Sequence, residues 1–166
     1  MFRFLFSILL CLSFLSGCAS QEFIEHKPKT PAVVRHIKWK PYSEVSFIVS
    51  KNSKRAVMIY FSDKDEPACQ LMERSTLKDP EVAHFINENF VPISVHGAQD
   101  KYNVTKFPTI LILSSADRTE IMRLDMAMDS EELLKYLRLA QRINSLTTAI
   151  SVMEALNLGG FGIGSP

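Results

Sequence analysis

Glycine is scarce in this 166-residue chain: there are six, and four of them, Gly159, Gly160, Gly162 and Gly164, crowd into the last eight residues. No glycine-rich turn followed by a helix and a Lys-Ser pair remains elsewhere to cradle a phosphate. Cysteine is scarcer, with three. The four histidines, His26, His36, His84 and His96, stand apart without HxxxH or His-Cys spacing, so neither a metal site nor a cofactor is expected. No block of one charge exists: 19 Lys and Arg oppose 18 Asp and Glu, for a net charge of +1, and the field that would gather nucleic acid is missing. The one long apolar run, from Phe4 to Leu15, is too short to span a bilayer as a helix.

What is present suits one domain with its own core, at 46% hydrophobic and 22% charged residues. The run after Met1-Phe2-Arg3 reads as the core of a signal peptide, residues 1–17. It ends in Leu15-Ser16-Gly17-Cys18, which resembles the bacterial lipobox and implies lipidation of Cys18 as the first mature residue. Ala19 follows, not Asp, which resembles the pattern of an outer-membrane, lipid-anchored destination facing the periplasm. Residues 18–40 are polar, carry Pro28 and Pro31, and read as a tether whose extended length is at most roughly 60–70 Å. Val33, Val34, Ile37 and Trp39 are expected to add a short strand or to dock, with Trp39 a packing residue.

A domain over 41–143 alternates helix and strand signals. A short helix is expected from Ser43 to about Ser50, then a buried strand in Ala56-Val57-Met58-Ile59-Tyr60-Phe61. Pro67 opens a helix reaching about Leu77, and Asp79-Pro80-Glu81 restarts one with Val82, Phe85 and Ile86 inward. Phe90 to Val95 reads as a strand in which Pro92 argues for a strand start or an irregular edge hydrogen-bonding position. A helical turn near 98–102 precedes the strand Ile110 to Leu113, and Ser115 to Arg118 turns it into an antiparallel partner, Thr119 to Leu124. Asp129 and Glu132 form a capping-box pattern for a helix to about Ile143. The expected order is β-α-β-α-β-β-α.

Two motifs give this order a family. The stretch from Phe61 through Asp65, Glu66, Pro67 and Cys69 to Met72 resembles the active-site segment of thioredoxin-like proteins, where Trp-Cys-x-x-Cys sits between a strand and a helix. The segment Val104 to Thr109 resembles the family's cis-proline signature, and Asp79-Pro80-Glu81-Val82 with Asn87 to Pro92 resembles its periplasmic single-domain branch. The resemblance covers about Trp39 to Arg142 and implies a three-layer α/β sandwich, a central mixed sheet flanked by helices.

Carried over by position, Cys69 falls on the second cysteine, Glu66 replaces the first, nucleophilic one, and Asp65 replaces the Trp. A glutamate gains the same stabilisation from a helix N-terminus but cannot exchange disulfides. After cleavage only Cys18 and Cys69 remain and Cys18 carries lipid, so a reversible dithiol within the domain is excluded. Cys69 is then either a monothiol for mixed disulfides or soft metals, or a small buried apolar residue, and the latter is favoured. Glu66 reads as a helix cap in preference to a catalytic acid. The resemblance implies a cis bond at Pro108, and a peptide-docking surface at Phe107, Pro108 and Thr109.

Residues 144–166 exceed the usual domain: Leu146, Ile150, Met153 and Leu156 predict an extra C-terminal amphipathic helix before the Gly-rich tail, packing on its own domain or docking on another protein. Three functions follow: a non-catalytic protein-interaction or structural subunit of an outer-membrane-associated envelope complex such as a secretion system; a residual thiol-disulfide or redox-chaperone activity through Cys69; a ligand or metal carrier. The first is preferred. It expects envelope protein partners, a membrane contact through the lipid, no nucleic acid, and no assigned oligomeric state.

Overall fold

The computed structural model describes residues 36–97 and 99–156. The signal-peptide, lipidation and most of the tether expectations, and the Gly-rich tail, lie outside them. The described elements run α1 (Glu44–Ser53), β1 (Ala56–Ser62), α2 (Pro67–Arg74), a 3-10 turn (Thr76–Lys78), α3 (Pro80–Asn89), β2 (Phe90–His96), a 3-10 turn (Asp100–Tyr102), β3 (Thr109–Leu113), β4 (Glu120–Leu124) and α4 (Ser130–Ala155). The helical turn expected near 98–102 is that second 3-10 turn.

The sheet order is β2-β1-β3-β4. β1 pairs parallel with β2, Ile59 against Ile93, and antiparallel with β3, Ile59 against Leu111. β3 and β4 form the expected hairpin, with a register shift between Ile112 and Leu113. Because side chains alternate across a strand, Met58, Tyr60, Ile110 and Ile112 pack under α2, α3 and α4. Val57, Ile59, Phe61, Leu111 and Leu113 pack on the other face with Phe47 of α1. Three layers result, and β1 and β3 are buried along their whole length.

Local chemistry sets the boundaries. Asp79 caps α3, accepting from the Glu81 and Val82 amides at 2.8 and 3.1 Å, and Pro80 occupies the first turn, where no amide is needed. Asp129 accepts from the Glu132 amide at 2.8 Å. Pro92 is tolerated because β2 is an edge strand, and its carbonyl accepts from the Lys40 amide at 2.8 Å. The leading segment is therefore docked: Ile37 is buried, Lys40 bridges to Ile93, and Asn87 grips the backbone of Lys38 and His36 at 2.8 Å each.

The expected extra C-terminal helix is not a separate element. α4 runs unbroken through residues 143 and 144, as 26 residues. Asn144 and the hydroxyls after it look like a break, yet Asn144 is buried and holds the hairpin turn. Its Oδ1 accepts from the Ser115 amide at 2.9 Å and its Nδ2 donates to Lys54 O at 3.1 Å. Ser145, Thr147 and Thr148 turn their hydroxyls back to carbonyls four residues earlier, so these groups are satisfied within the helix and do not end it. Asn144→Ala is expected to cost about 2 kcal/mol by stranding these buried groups. Denaturant unfolding should show it as a lowered midpoint, while Ser151→Ala, on the exposed end of α4, moves stability by less than about 0.5 kcal/mol.

Candidate functional site

β1 ends at Ser62, and the chain turns through Asp63, whose carbonyl accepts from the Glu66 amide at 3.3 Å and whose Oδ1 accepts from the Asp65 amide at 3.0 Å. Glu66 then sits at the N-cap of α2 with extended backbone, and its Oε1 accepts from the Ala68 amide at 3.4 Å, a long bond. Pro67 fills the first helical position. The carboxylate at the place of a nucleophile is thus engaged by the helix end it faces.

Cys69 lies three residues after Glu66 and is only 1% exposed. Burial is the largest effect on its thiol and raises its pKa; a backbone hydrogen bond from Asp63 and one from the Tyr60 hydroxyl act the other way, and the negative charges of Glu73 and Glu66 raise it again. Both charged groups bearing on the sulfur are carboxylates. A reactive thiol needs the reverse, a cation or free amides that favour the anion. Tyr60 donates to Glu73 Oε1 at 3.3 Å, and burial followed by Cys69 and Glu73 holds its phenol well above the ordinary range. Tyr60 and Glu73 were not read from the sequence as neighbours of the thiol. Glu73 is legible afterwards as the residue one turn beyond Cys69, and Tyr60 as the strand position sharing a face with Met58.

The second motif lies at the same end of the sheet, since Thr109 pairs with Phe61. The Phe107-Pro108 bond is cis. Pro108 and Thr109 are buried, and Thr109 Oγ1 reaches Lys106 O at 2.8 Å and Asp125 Oδ1 at 3.1 Å. Of the three expected docking residues only Phe107 offers accessible side chain. His96 Nδ1 lies 3.0 Å from Ser62 Oγ. It lines a cleft of about 430 Å3 with His36, Trp39, Tyr60, Glu73 and Lys78, where Trp39 stacks on Tyr60 at 5.9 Å. Among the described residues no group of three or more His, Cys, Asp or Glu is placed to hold a metal ion.

The family model for the thioredoxin-like domain matches residues 44–141, more than half the chain. The chain belongs to this thioredoxin-like family. A thioredoxin from Thermus thermophilus is 30% identical with a TM-score of 0.55, over 61% of this chain and 85% of that one. An oxidoreductase named DsbH shares the fold at 18% identity and a TM-score of 0.59, over 68% of this chain and 89% of its own. A UBX domain-containing protein 7 homolog from Dictyostelium discoideum is 28% identical over 109 residues, 61% of this chain, but the match spans only 22% of that much longer protein. The fold is thus one that disulfide oxidoreductases use.

The buried, protonated thiol has two measurable consequences. In the native protein Cys69 is expected to resist a thiol-specific chromogenic reagent at pH 8 and to react fully once unfolded; prompt native labelling would contradict its burial. Because its pKa is raised in the folded state, the proton it keeps stabilises the fold below the ordinary thiol value of about 8.5. That contribution is lost as pH rises toward the folded-state value. Unfolding free energy should fall above about pH 8.5, and Cys69→Ala should flatten the fall, leaving the share that Tyr60 and Tyr102, both raised chiefly by burial, supply at higher pH.

Proposed function

We propose that this protein is a non-catalytic thioredoxin-like lipoprotein, held at the outer membrane through Cys18, that serves as an interaction subunit of an envelope protein complex. The observation that carries this reading is the state of α2's first turn: Glu66 caps the helix where a nucleophilic thiolate would stand, and Cys69 lies buried beside two carboxylates. Dithiol exchange needs an accessible, deprotonated attacking sulfur. The lipobox-like Leu15-Ser16-Gly17-Cys18 and the polar stretch after it support anchoring, and a secretion machine is one assembly with a place for such a subunit.

The test is recovery of partners in mild detergent from the native envelope. Wild type and Cys69→Ser are expected to recover the same assembly. Loss of partners held by reducible bonds in Cys69→Ser would instead make the single thiol the functional group.

A gain-of-function substitution probes the same reading. Glu66→Cys places a thiol at the helix end, three residues before Cys69, where free amides favour its anion. Wild type is expected to leave insulin disulfides unreduced in a turbidity assay, and Glu66→Cys to reduce them measurably. Activity in wild type would sink the non-catalytic assignment.

A further inference from the structure

The leading segment and the body of the domain meet at a sharp boundary. From Pro41 onward the chain is tied down. The Pro41 carbonyl accepts from Ser46 Oγ at 2.8 Å, the Tyr42 and Tyr102 hydroxyls meet at 2.8 Å, and the Tyr42 ring packs edge-on against Phe47 with centroids 5.6 Å apart. Ahead of Pro41, residues 36–40 are held through three backbone hydrogen bonds of 2.8 Å, two to the Asn87 side chain and one to Pro92 O. Of their side chains only Ile37 is buried. Pro41 has no amide with which to extend the pairing, so the ladder on the outer edge of β2 stops at the one bridge of Lys40 to Ile93.

This lightly held segment covers a sensitive place. Trp39 stacks on Tyr60 with ring planes 27° apart, and Ile37 and Trp39 form one side of the cleft whose other side includes Glu73. Cys69 does not line that cleft, but Tyr60 and Glu73 do, and both bear on the sulfur, the phenol by a hydrogen bond and the carboxylate by its charge. Tyr60 is 2% exposed with the indole over it. The thiol therefore lies one side chain behind the cleft, and Trp39 lies over that side chain.

Parts of a fold open in the order in which they are held. β1 is paired along both edges and buried throughout, so exposing it means unfolding the sheet. Residues 36–40 leave at the cost of three bonds and one buried side chain, and no strand pairing within the four-stranded sheet is broken. We propose that residues 36–40 are a hinged cover that swings off at Pro41 while the domain stays folded, and that this opening is the route by which a solute reaches Tyr60 and the Cys69 thiol behind it. With the cover off, the phenol ring has lost its stacking partner and is free to turn from the sulfur; with it on, the thiol is closed. The device goes beyond the non-catalytic reading and does not depend on the lipid anchor. It makes access to Cys69, the only cysteine between residues 41 and 143, conditional on where the leading segment lies.

The test reads two rates on the full chain under native conditions. Hydrogen exchange follows the amides of Lys38, Lys40 and β1, and alkylation of Cys69 is followed by the mass of the peptide that carries it. In wild type the Lys38 and Lys40 amides are expected to exchange with one opening constant, at least roughly a hundredfold larger than that of β1, and Cys69 to be alkylated with the constant of Lys38 and Lys40. Asn87→Ala removes two of the three bonds and should speed Lys40 exchange and Cys69 alkylation by a common factor, at least roughly tenfold. Asn144→Ala weakens the fold at the hairpin turn, away from the cover, and should speed β1 exchange while leaving the Cys69 rate as it is in wild type. Three results overturn the cover: Cys69 alkylation in wild type that matches the opening of β1, alkylation that responds to Asn144→Ala and not to Asn87→Ala, or Lys40 exchange that Asn87→Ala speeds while the thiol stays shut. The wild-type comparison decides by itself if either variant fails to fold.

Discussion

Strand β1 is the constraint on which the rest depends. It is buried end to end, bonded to β2 on one edge and β3 on the other, and its alternating side chains supply both cores. Everything chemical about the domain happens where it stops. The turn at Asp63, the cap at Glu66 and the cis bond before Thr109 gather there because Phe61 and Thr109 are register partners. Such a frame fixes the position of α2's first turn irrespective of which residue occupies it.

That separation of scaffold from chemistry explains the site. Helix amides favour whichever anion faces them, and here it is a carboxylate. The sulfur that remains is set in surroundings that keep it neutral, with Tyr60 and Glu73 closing over it. The same burial that raises the Cys69 pKa lets it contribute to the core as a small apolar side chain.

Much of this was legible beforehand. The β-former run of β1, Pro67, and the Asp79-Pro80 pair announce their elements through local rules that tertiary packing does not override, and the resemblance of the segment around Cys69 to the family's active-site motif is what marks Glu66 as standing at the first cysteine's position. Two things were not legible. Asn144 and the hydroxyls after it resemble a helix end, because a sequence does not say whether a polar side chain bonds its own backbone or a distant turn; here Ser115 and Lys54 decide it. Nor does a sequence say that Thr109 turns its hydroxyl inside the fold and leaves Phe107 as the accessible side chain beside the cis bond.

The clasp on the leading segment has a mechanical side. Lys38 and His36 are held by one amide side chain, Asn87, and Lys40 by the carbonyl of Pro92, so three hydrogen bonds stand between the chain ahead of residue 36 and the sheet. Lys40 pairs with β2 through a single parallel bridge and the other two bonds come from Asn87 on α3, so a pull from the N-terminal side is divided between a strand edge and a helix end. Each is worth only about 1 kcal/mol, which makes the clasp a fuse. It lets go before β1 does, and it takes Ile37 and Trp39, one wall of the cleft over Tyr60, with it.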